Sequence, residues 1–327
     1  MKKKITRMLA LCLIAFLLLP AFSAAALGVS IDDGADALRA QWRRDEGPKQ
    51  SGFSLDYSYF EPQAAAKEKL PLFVFMPGAG EGTYEGKELI KNNFYKWSGE
   101  EYQSRVTDAA GAYLLILRAP EPIYFDTCPV ESIHAAIMDF VSRYNVDKTR
   151  VYLFGWCLGE NGALKTALAH PDDYAGIALF SGRRAISGSE AQTLRDMAIW
   201  ILGCTGDTYS VYGIYTAPSW SNVRAVGDPA KRRLTSCTSA PRAAAIFNHN
   251  LWNLAEEDYS ADAQTFYEDL STVNGAGRTV KAPSFIDWFT RWSTDAQEEA
   301  PSVSGAFLQR ISAFIRALLA LIVRLLG

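Results

Sequence analysis

Short apolar runs punctuate the middle of the chain. Leu72-Phe-Val-Phe-Met76, Tyr113-Leu-Leu-Ile-Leu117 and Val151-Tyr-Leu-Phe154 are each followed within a few positions by Gly or Pro. Ile177-Ala-Leu-Phe180 and Ile199-Trp-Ile-Leu202 repeat the pattern, and Ala243-Ala-Ala-Ile-Phe247 does so weakly. Apolar runs this short, without polar alternation, fit strands buried on both faces. Between them, Val130 to Tyr144 has helical spacing, with Ile133, Ile137, Phe140 and Val141 on one side. Asn161 to His170 reads as a second helix, stopped by Pro171. Alternation over Phe53 to Phe60 adds an early strand, after a charged stretch from Arg43 to Gly52. Strands alternating with helices predict an α/β domain with a mostly parallel central sheet and helices on both faces. Such a sheet carries its site at the carboxyl ends of the strands, so the chemistry is expected just after each run.

The two ends follow other patterns. Lys2, Lys3, Lys4 and Arg7 precede the apolar stretch Leu9 to Leu19, then Pro20 and small residues through Ala26. This is the order of a secretory signal, so residues 1–26 are expected to be one, cleaved after Ala25 or Ala26. An uncleaved anchor is the alternative. From Phe307 to Leu326 the apolar residues fall in one half of a helical wheel; Gln309, Arg310, Ser312, Arg316 and Arg324 fall in the other. Arginines through the middle disfavour a spanning helix. The expectation is an amphipathic membrane-associating helix at 305–327, behind a polar linker at 296–304 and an α/β domain at 27–295. A helix packing on its own domain stays open. The expected location is outside the cell or on the outer face of the cytoplasmic membrane.

Composition narrows the partners. The 327 residues are 49% hydrophobic and 21% charged, with net charge −3 and no internal basic block, so nucleic acid is not an expected partner. Without the signal, four cysteines remain: Cys128, Cys157, Cys204 and Cys237. An even count in an exported chain argues for disulfides. One bridge between Cys204 and Cys237, with the other two reduced, would leave Cys157 free.

Cys157 matters because of its neighbours. Val151-Tyr-Leu-Phe-Gly-Trp-Cys-Leu-Gly-Glu-Asn-Gly162 combines a strand, a tight turn and a helix start. A nucleophile on such a corner needs small residues two places to either side, and Gly155 and Gly159 supply them. A helix N-terminus also favours a thiolate by about 0.3–1 kcal/mol.

This segment resembles the nucleophile elbow of the α/β-hydrolase superfamily. Tyr144 to Gly155 is similar to the approach in secreted esterases of the polyhydroxybutyrate-depolymerase and feruloyl-esterase kind, which carry serine there. Gly-Trp-Cys-Leu-Gly resembles dienelactone hydrolases, which carry cysteine. The arrangement extends over about residues 70 to 295. It implies a hydrolase acting on a carboxylic ester or lactone, with a small-molecule ester or acylated substrate and a covalent acyl-enzyme. A decayed binding protein on the same fold and an acyl or thioester transferase remain alternatives.

A cysteine nucleophile needs a base, and the base an orienting carboxylate. Of the three histidines, His134 lies inside a helix and His170 ends one, where a helix C-terminus welcomes it. His249, in Phe247-Asn-His-Asn-Leu-Trp252, stands where the superfamily carries its base, and its His-x-x-Trp pattern resembles the secreted esterases. Asp207, after Ile199 to Gly203, resembles the family's acid turn; Asp228 competes, but no apolar run precedes it. Met76-Pro-Gly-Ala-Gly-Glu-Gly82 resembles the family's His-Gly-x-Gly stretch, with Pro77 in place of histidine. It implies an oxyanion hole from the N–H groups of Ala79 and Leu158. Glu160 stands where relatives have a second glycine. Its carboxylate either opposes the thiolate or points away. Trp156, Tyr212, Trp220 and Trp252 are candidate substrate-binding residues, with ordinary cap packing as the alternative reading of the aromatic stretch from Asp207. No metal or organic cofactor is implied.

Overall fold

The alternation of apolar runs and helices is realised as one nine-stranded sheet. The computed structural model describes residues 31–79, 93–120, 122–242 and 247–295. The expected signal, the linker from 296, the helix at 305–327, the glycines at 80 and 82, and the weak run at 243–246 lie outside them. The strands are β1 (Arg43–Glu46), β2 (Asp56–Phe60), β3 (Leu70–Met76), β4 (Tyr113–Arg118), β5 (Val146–Trp156), β6 (Gly176–Phe180), β7 (Ala198–Cys204), β8 (Arg232–Cys237) and β9 (Ser271–Asn274). They lie in the order β1-β2-β4-β3-β5-β6-β7-β8-β9. β4-β3-β5-β6-β7-β8 pair in parallel. β2 and β9 close the two sides antiparallel, and β1 pairs antiparallel with β2.

Every residue of β3, β6 and β7 is buried, as strands covered on both faces require. Alternate side chains feed two different cores. Phe73, Phe75, Phe154 and Trp200 meet Trp97, Trp252, Phe285 and Phe289 in an aromatic layer. Leu72, Val74, Leu153, Ile177 and Ile199 face the other way into an aliphatic layer. The helices are α1 (Ile31–Arg39), α2 (Val130–Arg143), α3 (Leu158–Ala169), α4 (Gly188–Thr193), α5 (Thr216–Arg224), α6 (Trp252–Glu256) and α7 (Phe285–Phe289), with single turns at Glu100–Gln103 and Ala261–Gln264. Ile133, Ile137 and Phe140 of α2 and Leu164 of α3 seal the aliphatic layer. No described helix is long and apolar enough to cross a membrane.

β8 departs from the apolar-run pattern. It begins with two arginines, and Arg232 is fully buried. Its guanidinium donates to the carbonyls of Met197 (2.6 Å), Arg195 (2.7 Å) and Val223 (2.9 Å). Burial lowers its pKa to about 10, and Asp228 and Asp196 offset this only in part. The strand is buried because its charge is capped by backbone oxygens.

The bridge weighed between Cys204 and Cys237 is not formed. The two stand opposite in the β7–β8 ladder, and both are free thiols, as are Cys128 and Cys157. They share a hydrogen bond instead. That bond, together with burial, raises the pKa of Cys237.

Candidate active site

Three strand ends bring the catalytic candidates to one edge of the sheet. At the end of β5, Cys157 takes φ 55° and ψ −117° before α3 begins. A non-glycine residue there costs on the order of 1–3 kcal/mol and persists only where its surroundings enforce it. Here the Cys157 N–H donates to the Phe180 carbonyl at 2.9 Å. A Cβ at Gly155 would lie 2.5 Å from the Gly159 oxygen; one at Gly159 would lie 1.8 Å from the Met76 oxygen. Both glycines are therefore steric requirements of the corner. A Cβ at Gly78 would lie 3.1 Å from the Cβ of Cys157. Gly78 thus runs close beside Cys157, with Ala79 exposed and Leu158 opening α3.

His249 arrives on the turn Phe247–His249 and is 4% exposed. Its Nδ1 lies 2.7 Å from Asp207 Oδ2, and the ring also hydrogen-bonds Cys157. With Nδ1 committed to the carboxylate, Nε2 is the nitrogen left for sulfur. Asp207 is held in turn: its Oδ1 accepts from the N–H groups of Tyr209 (2.7 Å) and Ser210 (3.0 Å). Asn248 ties the two loops together, donating to the Gly206 carbonyl at 2.8 Å and accepting from the Ala240 N–H at 2.7 Å. Burial alone would lower the His249 pKa. The hydrogen bonds to Asp207 and Cys157, with their charges, outweigh it and raise the pKa to about 9. The site therefore favours the imidazolium, the form that pairs with a thiolate.

Glu160 takes neither of its two expected courses in full. It is buried, with Oε2 accepting from the Gly182 N–H at 2.5 Å. Burial raises its pKa to about 8, opposed by that hydrogen bond and by the charge of His249. Ser210 Oγ donates to the Gly182 carbonyl, while the Ser210 N–H donates to Asp207. A closed circuit results: Cys157, His249, Asp207, Ser210, Gly182, and Glu160 back on the elbow helix. Asp228 lies outside this circuit and caps a short turn before β8.

The aromatic candidates are placed differently from the sequence expectation. Trp156, Trp220 and Trp252 are 4%, 7% and 1% exposed, so they are packing residues, not pocket walls. Trp156 still serves the site from below, because its Nε1 donates to the His249 carbonyl at 3.0 Å. Trp252 stacks on Trp156 within the aromatic layer, and Trp220 belongs to the aliphatic one. Tyr212 is half-buried and hydrogen-bonds Ser236. The aromatic ring that faces outward beside His249 is Tyr209, 61% exposed and 5.6 Å from its ring. It belongs to the aromatic stretch from Asp207 that the sequence offers as a pocket wall. Ser181 is not among the residues that the sequence singles out. It has φ 52°, and its hydroxyl is buried without a hydrogen-bond partner. No periodicity announces such a residue.

No protein-family model matches the sequence, and no curated protein matches it. Among solved structures, a thermostable esterase is similar with a TM-score of 0.60 at 18% identity, covering 79% of this chain and 64% of that one. A ferulic acid esterase is similar with a TM-score of 0.48 at 13% identity over 69% and 97% of the two chains. The acylaminoacyl peptidase of Pyrococcus horikoshii follows with a TM-score of 0.42 at 13% identity over 56% and 35%. The chain thus spans under two thirds of the length of the thermostable esterase. The strand order and the first of these likenesses define the fold: this is an α/β-hydrolase fold.

Proposed function

We propose that the chain is a hydrolase of carboxylic esters or lactones that works through a Cys157–His249–Asp207 triad and an acyl-enzyme. The observation that carries this reading is that His249 bonds both Asp207 and Cys157. The thiolate of Cys157 attacks the carbonyl carbon, forming the C–S bond. The N–H groups of Ala79 and Leu158 receive the oxyanion. His249, as imidazolium, gives its Nε2 proton to the departing alkoxide, which leaves a thioester. The neutral imidazole then takes a proton from water, hydroxide attacks the thioester, and the acid departs with the thiolate restored. Asp207 holds the ring in the tautomer this needs and stabilises its charge without accepting the proton. Tyr209 flanks the acyl or alcohol group at the open edge.

The esterase names of the similar structures agree with this class of reaction. Export by residues 1–26 and attachment to a membrane surface by residues 305–327 belong to the same proposal.

Glu160 favours a second reading, binding without turnover, because a buried carboxylate beside the nucleophile would oppose thiolate formation once ionised. One experiment separates the two. An aryl ester is mixed with the protein and the intact mass is followed. A transient adduct mapped to Cys157 and absent in His249→Ala supports the enzyme. Product formation equal to the buffer rate, with no adduct, sinks it.

A further inference from the structure

His134 and His170 are 36 positions apart and lie on different helices, yet their rings stack with centroids 3.6 Å apart and planes 4° from parallel. His134 comes from the second turn of α2. His170 caps the C-terminal end of α3, and Asp173 follows one turn later in Pro171–Asp173. Each ring uses one nitrogen on an outer partner. His134 Nδ1 lies 2.9 Å from the Tyr174 hydroxyl, and Tyr174 is buried. His170 Nε2 lies 3.2 Å from Glu131 Oε1. The nitrogens left over both face one carboxylate oxygen: His134 Nε2 is 3.6 Å from Asp173 Oδ2, and His170 Nδ1 is 4.0 Å from it.

This division of labour is the one metal-binding histidines show, with one nitrogen toward the ion and the other fixed by a carboxylate or hydroxyl. The three inner atoms lie within 4.8 Å of one another. Ligands about 2.0–2.2 Å from a common ion are separated by distances of this order. Two imidazoles and a carboxylate form a borderline N₂O set, suited to a late first-row divalent cation and poorly suited to calcium or magnesium. All three side chains are partly exposed, so water can complete the coordination.

We propose that His134 Nε2, His170 Nδ1 and an Asp173 carboxylate oxygen form a zinc-class metal site at the foot of the elbow helix, joining α2, α3 and the approach to β6. An ion must lie near the plane of each ring that binds it, so the two stacked rings must swing apart. The α3 helix is about 18 Å long, so the ion sits at the opposite end from Cys157. Its role is to fasten structure, not to polarise substrate.

The test uses the purified full chain, stripped with EDTA and with accessible thiols alkylated so that sulfur does not compete. ZnCl₂ is titrated by calorimetry. One saturable ion per chain is expected, with a rise in Tm. His134→Ala and His170→Ala should each abolish saturable binding. Tyr174→Phe, which removes an outer hydrogen bond alone, should weaken it about tenfold. Because alanine could disturb the helix contact, His134→Gln is measured as well, and circular dichroism checks every variant. Co(II) gives an independent readout: weak d–d bands without sulfur charge transfer in the wild type, absent in His134→Gln. The proposal is overturned if the wild type takes up no zinc saturably. It is equally overturned if folded His134→Ala or His134→Gln binds zinc as tightly as the wild type.

Discussion

The two ends of α3 carry the same kinds of side chain in opposite settings. At its N-terminal end, His249 is buried between Asp207 and Cys157, and its pKa rises to about 9. At its C-terminal end, burial and the neighbouring His170 lower the pKa of His134, with Asp173 and Glu131 offsetting this only in part. The partners decide the direction. Asp207 is 1% exposed in its side chain and touches the ring at 2.7 Å. Asp173 is 43% exposed and stands off at 3.6 Å. A buried carboxylate in direct contact stabilises an imidazolium far more than a solvated one beyond hydrogen-bond range. Backbone geometry differs too. The N-terminal end contains a residue in a strained conformation and glycines with no room for a Cβ, whereas the far end is an ordinary helix stop before proline. Histidine beside carboxylate therefore says little by itself; burial, contact and a cysteine held at positive φ set one end apart and suit it to the proposed chemistry.

The comparison breaks most severely if Cys157 is dispensable. Cys157→Ala should lower kcat/KM on an aryl ester by about 10⁴–10⁶, as removal of a nucleophile does where the remaining groups act as a unit with it. Turnover within tenfold of wild type would mean that the reactive end lies elsewhere. Asp207→Asn comes next. It keeps the shape but removes the charge and the acceptor that raise His249, so kcat should fall by about 10²–10⁴. The alkaline limb of the pH–rate profile for kcat/KM, where the imidazolium is lost, is informative as well. Losing the Asp207 contribution should bring the His249 ionisation down from about 9. An unchanged profile would remove Asp207 from its orienting role.

How much of this was legible in the sequence follows from where the signals come from. β3, β4, β5, β6 and β7 were readable because strands covered on both faces must be apolar throughout. β8 was not, because Arg232 is buried against carbonyls that come from other segments. The elbow was readable because its steric demand falls on Gly155 and Gly159, close in sequence to Cys157. Asp207 and His249 were reached through resemblance, since nothing local distinguishes a buried aspartate from a turn aspartate. The pairing of His134 with His170 was illegible, because it depends on how α2 packs against α3. The assignment of Trp220 and Trp252 to a pocket missed for a related reason. Aromatic content marks buried area as readily as it marks a wall, and of the aromatic residues described between Asp207 and Trp220 Tyr209 is the exposed one.

The smallest effect sharpens the comparison at its least expected member, Glu160. Its pKa in the folded chain is about 8 against an ordinary 4.5. The folded state therefore keeps a proton that the unfolded chain releases near pH 4.5. Stability from this group is complete below about pH 4.5 and is lost as pH rises through about 8. His249 adds a second decline, from its ordinary 6.5 up to about 9. Glu160→Gln keeps an oxygen to accept from the Gly182 N–H and carries no titrating proton, so it deletes the first decline and leaves the second. Tm measured from pH 5 to 9 should fall more steeply for the wild type. The gap should open between pH 5 and 8 and reach about 10 °C, given about 1.4 kcal/mol per pH unit and about 2–4 °C per kcal/mol for a domain of this size. Activity adds the mechanistic half. If the ionised carboxylate opposes the thiolate, Glu160→Gln should extend the active range of the enzyme above pH 8. Parallel Tm curves would mean that Glu160 is ionised in the folded chain throughout, and that the circuit through Gly182 and Ser210 holds a charge where the structure favours a proton.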